Sequence, residues 1–335
     1  MIPAIFGLSG PTLTDDERAF FRDSDPAGYI LFGRNIENRE QLRRLTDELR
    51  SLDGRAQLPI LIDQEGGRVA RMKAPEWPAF PSGAAFDALY ERAPASAIEA
   101  ARLNAMALAL MLAEVGITVD CLPLLDVRQP GASDVIGDRA LGSEPMRVAA
   151  LGRAILSGLQ DGGIVGIVKH IPGHGRAMLD SHEQLPVVSA TDRDLQTDLA
   201  PFAALRDAAM AMTCHVVFEA WDPDRPATLS PTIIDSVIRQ RIGFHGLLMS
   251  DDLDMKALSG DVPSRAAGAV AAGCDIALNC WGKMDDMIGI ANALDPIRDI
   301  SLARLEGAMD RIAGAHEARE FAMLVDQRDA LLAIA

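Results

Sequence analysis

The chain has no excess of basic charge, no closely paired cysteines, no low-complexity segment and no leader-like start, and each absence removes a class of function. A net charge of -16 argues against nucleic acid or an anionic membrane as the main partner, because both are recognised through basic surface. It leaves room for a small substrate met by a local basic cluster. Cys121, Cys214, Cys274 and Cys280 form no C-x-x-C pair, and three of them lie in or beside apolar strand-like runs, which predicts buried free thiols in a reducing compartment. The N-terminal residues M-I-P-A-I-F-G-L-S-G-P lack a basic region, and their apolar stretch is too short for a signal peptide or a membrane span. A cytoplasmic location is therefore expected.

What is present is a packed α/β globule. Hydrophobic residues make up 49% of the chain and charged residues 24%, and 335 residues suffice for two ordinary domains or one large α/β barrel. Short apolar runs at 4–8, 29–32, 59–62, 117–121, 164–168, 211–214, 246–249 and 276–278 read as strands. Helical patterns separate them: 15–22, then a helix capped by Asn38 with Leu42, Leu45 and Leu49 on one face, and an Ala/Leu/Met stretch over 84–115 broken near Pro94. Thr191 and Ser230-Pro231 read as further helix starts. Eight strands alternating with helices predict a (β/α)₈ TIM barrel as a single domain over residues 1–335, ending in C-terminal helices. No G-x-G-x-x-G follows the first strand, as a doubly wound dinucleotide fold would require.

The stretch V-G-I-V-K-H-I-P-G-H-G-R-A-M-L-D-S-H-E-Q-L-P at 165–186 concentrates the polar chemistry, holding His170, His174 and His182 of the six histidines. Pro172, Gly173 and Gly175 forbid a regular helix directly after the strand, so 173–182 is expected as an exposed loop carrying Asp180 and His182. Candidate acids, bases and charge carriers follow other strands too: Asp63, then Asp138 and Arg139 in a long loop, Lys169 and His170, His215, and Asp251. Two readings of these residues stay open. In one, Asp251 is a nucleophile or electrostatic stabiliser and Asp180-Ser181-His182 is an acid/base dyad, the carboxylate fixing the imidazole tautomer and raising its basicity. In the other, His170, His174, His182, His215 and Asp251 hold a metal, as in barrel amidohydrolases. Against that, the first strand ends Gly7-Leu8-Ser9 without an H-x-H pair, and Lys169 would repel a cation. His170 and His215 also have plain structural readings, bracing the loop and packing beneath the site, and His174 within P-G-H-G suits loop shape better than substrate contact.

Five motifs, taken together, resemble glycoside hydrolase family 3: I-D-Q-E-G-G-R-V at 62–69, G-D-R-A-L-G at 137–142, K-H-I-P-G-H-G at 169–175, D-S-H at 180–182 and S-D-D-L-D-M at 250–255. The resemblance extends over the whole chain and is greatest to the single-domain bacterial β-N-acetylglucosaminidases of peptidoglycan recycling. It implies an exo-acting, retaining hydrolase with Asp251 as nucleophile, His182 as acid/base and Asp180 orienting it. Asp63, Arg71, Arg139, Lys169 and His170 would bind the terminal N-acetylglucosamine. No cofactor and no metal are implied; the partner would be a small glycan, N-acetylglucosamine-terminated muropeptides, acted on by a monomer with neither nucleic acid nor membrane involved. Ile171 stands where the family usually has Phe, and Arg176-Ala177 replaces its more familiar small or acidic residues. A phosphorylase on the same scaffold is the alternative that a histidine acid/base leaves open, since a neutral imidazole repels phosphate less than a carboxylate would.

Overall fold

In the computed structural model, residues 1–335 are described except 56, 182 and 315–319. The strands are β1 (Ile2–Gly7), β2 (Pro26–Leu31), β3 (Ile60–Ile62), β4 (Val119–Asp120), β5 (Val165–Ile171), β6 (Val187–Val188), β7 (Met210–Thr213), β8 (Val217–Phe218), β9 (Asp222–Pro226), β10 (Leu247–Asp252) and β11 (Ile276–Asn279). The helices are α1 (Asp15–Ser24), α2 (Arg39–Asp53), α3 (Gly83–Arg92), α4 (Pro94–Glu114), α5 (Pro145–Asp161), α6 (Gln196–Ala204), α7 (Val262–Ala272), α8 (Met284–Ala293), α9 (Asp299–Met309) and α10 (Phe321–Leu332), with a π-helical segment at Ile233–Ile242.

β1, β2, β3, β4, β5, β7, β10 and β11 close a barrel in that order, every neighbour parallel and β11 returning to β1. The eight expected strands are those eight, each shifted by a few residues at most. Side chains alternate across a strand, and here the alternation sorts the core in two. Ile5, Ile30, Leu61, Val119, Val165, Ile167, Met210, Met212, Leu247, Met249, Ile276 and Leu278 fill the barrel interior. Ala4, Phe6, Tyr29, Leu31, Ile60, Ile62, Val168 and Leu248 face the helical ring instead. The inward series plugs the barrel, so the ring of strands is a packed core and not a pore.

The 84–115 stretch breaks where Pro94 removes an amide donor, giving α3 and α4. α4 is long and apolar enough to cross a membrane by length and composition, but 67% of its most apolar window is buried within this fold. It lies close against α5, where a side chain at Gly158 would overlap the carbonyl of Arg102. Thr191 differs from expectation: its hydroxyl closes a turn on Asp194, donating to that carboxylate at 2.6 Å, and the helix begins only at Gln196.

An additional small sheet was not apparent from the sequence. β6 pairs parallel with β8, and β8 antiparallel with β9. Through it Val217 N–H donates to the Pro186 carbonyl at 2.9 Å, fastening the end of the loop after β5 to the segment after β7.

Candidate active site

The inward alternation that builds the plug continues past the apolar residues and makes the site. One step beyond Ile30 is Phe32; beyond Leu61, Asp63; beyond Ile167, Lys169; beyond Met249, Asp251; beyond Leu278, Cys280. All five line one cavity of about 490 Å³ at the C-terminal ends of the strands, together with Arg34, Glu65, Arg68, Arg71, Arg139, His170, His174, Asp180 and Asp252. The cavity is within the range of small-ligand sites. It therefore gathers Asp63, Arg71, Arg139, Lys169, His170, Asp180 and Asp251. His182 lies outside the described residues. Asp138 is not in the cavity lining; its carboxylate accepts from Arg68 Nε at 2.7 Å.

One wall is a chain of alternating charges. Arg71 Nη2 donates to Asp63 Oδ2 at 3.1 Å, Lys169 Nζ donates to Asp63 Oδ1 at 3.0 Å and lies 2.7 Å from Glu65 Oε1, and Glu65 takes both arms of Arg139 at 2.8 Å. Burial alone would push the Asp63 and Glu65 carboxyls up; the Lys169 ammonium, with Arg71 for Asp63 and Arg139 for Glu65, outweighs it and holds both below the usual range. Burial opposes the Lys169 ammonium, but the two carboxylates outweigh it and raise its pKa. The wall is thus ionised at neutral pH and fixed in place, with charge-assisted donors and acceptors directed by one another. Beneath it, buried Asp120 accepts the Gln64 amide at 3.0 Å and so braces the turn that carries Asp63 and Glu65.

His170 is oriented by a residue the sequence reading overlooked. Asp126, fully buried, is 2.7 Å from His170 Nδ1 through Oδ2, while its Oδ1 accepts the amides of His170 at 3.3 Å and His174 at 2.7 Å. Burial would raise this carboxyl, yet the His170 imidazole and those donors hold it at about 2. Asp126 leaves Nε2 of His170 as the ring atom for a ligand. The peptide joining Lys169 to His170 is cis. Glu65 was visible inside a recognised motif, and Asp126 as a lone carboxylate after the fourth strand; neither pairing has a local sequence signature.

The loop after β5 departs from expectation. Among its described residues it is buried as far as Gly175 and again at Ala177, Ser181 and Pro186, while Met178, Leu179, Glu183 and Gln184 are exposed. Gln129 N–H donates to Gly175 O at 3.0 Å and Ser133 N–H to Ala177 O at 2.9 Å, while Arg176 Nε reaches Asp198 Oδ2 at 2.6 Å. Arg176 is thus a clasp to α6. His174 Nε2 lies 3.1 Å from Ser181 Oγ. Burial, reinforced by the neighbouring His170, pushes the His174 imidazole down to about 4, so it is neutral at physiological pH and tethers the Asp180 end of the loop by a neutral hydrogen bond.

Across the cavity, Asp251 Oδ1 accepts the Asp252 amide at 2.8 Å. Asp252 turns away to accept the amides of Cys280 at 3.1 Å and Asp254 at 3.2 Å, and burial pushes its carboxyl up to about 6. His215 is packed beneath the site: Nδ1 meets Thr228 Oγ1 at 2.8 Å and Nε2 donates to the Asp252 carbonyl at 2.9 Å. Both its nitrogens are engaged by the protein, which answers for its position without a metal. All four cysteines are free and buried.

The family model "Glycosyl hydrolase family 3 N terminal domain" matches residues 7–315. Among curated proteins, a beta-hexosaminidase of Aromatoleum aromaticum is 37% identical over 315 residues, covering 92% of this chain and 87% of the relative. One from Thioalkalivibrio sulfidiphilus is 39% identical, with 90% and 87% covered. Among solved structures, NagZ from Neisseria gonorrhoeae in complex with N-trifluoroacetyl-D-glucosamine superposes with a TM-score of 0.88 at 32% identity, covering 98% of both chains. A family 3 beta-N-acetylglucosaminidase from Paenibacillus gives 0.87 at 30% identity, with 98% of this chain and 66% of that one covered.

Proposed function

The chain belongs to glycosyl hydrolase family 3 and is a glycoside hydrolase, and from that premise we propose that it is an exo-acting, retaining β-N-acetylglucosaminidase. In this reading residues 1–335 are one catalytic domain acting as a monomer in the cytoplasm. The substrate is the terminal N-acetylglucosamine of β-1,4-linked muropeptide fragments, N-acetylglucosaminyl-anhydro-N-acetylmuramic acid with or without peptide, met during cell-wall recycling. The names of its hexosaminidase relatives support the sugar. The observation that carries the reading is the cavity itself: a dead-end pocket, closed below by the barrel plug, with the Arg71, Asp63, Lys169, Glu65, Arg139 chain on one wall and Asp251 in the same lining.

A closed floor suits recognition of a chain end. The charged wall offers acceptors on Asp63 and donors on Lys169, Arg139 and His170 for the hydroxyl and amide groups of one sugar. Asp251 then attacks the anomeric carbon as the bond to the leaving oxygen breaks, and protonated His182 gives that oxygen its proton. In the second half, neutral His182 takes a proton from water, whose oxygen bonds to the anomeric carbon and frees the Asp251 carboxylate. Asp180, two residues upstream and facing the cavity, orients the imidazole. No step calls for a metal or cofactor.

Release of 4-nitrophenol from its β-N-acetylglucosaminide tests the reading. Intact enzyme is expected to work equally with and without EDTA, while Asp251→Ala and His182→Ala each lose about 10³-fold or more in kcat. Full activity in Asp251→Ala, or loss on chelation, would overturn it.

A further inference from the structure

The cavity rim carries a large apolar side chain that the proposed chemistry leaves without a task. Trp281 is 55% exposed, although the chain has only three tryptophans and burying such a ring is ordinarily favourable. It lines the same cavity as Asp251. Its backbone is not free to swing the ring away. On one side, Cys280 N–H donates to Asp252 Oδ1 at 3.1 Å and Cys280 O accepts from Arg34 Nη2, with Gly7 leaving room for that carbonyl. On the other, Gly282 adopts a left-handed φ of 66° against the backbone of Leu8 and Ser9. The backbone that carries the ring is thus anchored by the residue that follows the proposed nucleophile. Lys283 Nζ lies over the indole at 5.8 Å from its centroid and is not among the residues that line the cavity.

We propose that Trp281 is the platform of a second sugar subsite, stacking on the C–H face of the leaving pyranose while the charged wall holds the terminal residue. The inference rests on the hexosaminidase reading and adds the residue that receives the leaving sugar, by its flat apolar face. The two regions divide the work by chemistry. Hydroxyl and amide recognition needs the ionised wall, whereas a leaving sugar beyond it gains most from apolar contact, which does not fix the pattern of its substituents. An aromatic ring supplies such area with little side-chain entropy to lose. A subsite of this kind accepts pyranoses with varied substituents, provided that one face is clear.

The test compares two substrates with the same first sugar: N,N'-diacetylchitobiose, whose leaving group is a pyranose, and N-acetylglucosaminyl fluoride, whose leaving group is one atom. In Trp281→Ala the ratio of kcat/KM for disaccharide over fluoride is expected to fall about tenfold, or about 1.4 kcal/mol of transition-state stabilisation. Trp281→Phe should retain most of that ratio. Trp281→Leu, which keeps bulk without a flat face, should lose it and serves equally if the alanine variant does not fold. An unchanged ratio in both Trp281→Ala and Trp281→Leu overturns the subsite and leaves the hexosaminidase reading intact. Failure of the intact enzyme on both substrates overturns the two together.

Discussion

Asp252 shows how one residue next to the proposed nucleophile trades stability for position. Its carboxyl sits near 6 because burial, and then the Asp251 charge beside it, disfavour ionisation, yet its oxygen must accept two amides to hold Cys280 and Asp254. An acid whose folded pKa lies above its unfolded value near 3.8 binds more protons native than unfolded, so its contribution to stability is fully present below about pH 4 and is lost as pH rises to about 6. In Asp252→Asn the amide oxygen still accepts both N–H groups, and that decline should vanish. Denaturant melts from pH 4 to 7 should show the variant gaining on the parent by up to about 3 kcal/mol across the window, at 1.36 kcal/mol per unit. A parallel pH dependence in both proteins would refute the assignment. Asp126 is the opposite case, a buried acid kept ionised by its partners, and its role is to aim His170.

Among elements, the strands were the most readable in the sequence, and the reason is physical. Parallel strands covered on both faces are short continuous apolar runs, and the inward series that ends at Leu61, Ile167 and Met249 carries on to Asp63, Lys169 and Asp251 with the same period of two. Most of the candidate site was legible for that reason. The pairing of Glu65 with Arg139 and of Asp126 with His170 was not, because each joins segments after different strands and depends on barrel register. The loop after β5 was misjudged for a related reason: its prolines and glycines mark a turn, but whether a turn is buried depends on what covers it. Here Gly175 packs against Val127, where an added side chain would overlap the carbonyl. Gly175→Ala should therefore lift the loop, costing about 1–3 kcal/mol and speeding proteolytic cleavage within residues 173–186. A cleavage rate equal to the parent's would show that the loop is held some other way.

The whole molecule sets a field that its pocket does not share. The chain carries a net charge of -16, whereas the cavity lining balances Arg34, Arg68, Arg71, Arg139 and Lys169 against Asp63, Glu65, Asp180, Asp251 and Asp252. A neutral sugar meets no net repulsion in such a pocket, but an anionic leaving group approaches through an unfavourable field. Raising ionic strength from 0.01 to 0.2 M should raise kcat/KM for anionic muropeptide fragments by roughly two- to fourfold and leave diacetylchitobiose unchanged. A fall with salt would point to a cationic approach path. The central claim, that a barrel-strand aspartate forms the glycosyl-enzyme, is tested most directly by trapping it. After incubation with a 5-fluoro N-acetylglucosaminyl fluoride, peptide mass mapping should place one glycosyl unit on the fragment containing Asp251, at its carboxylate. A glycosyl label on any other residue, or an unlabelled enzyme that turns the reagent over with inversion, would contradict the account.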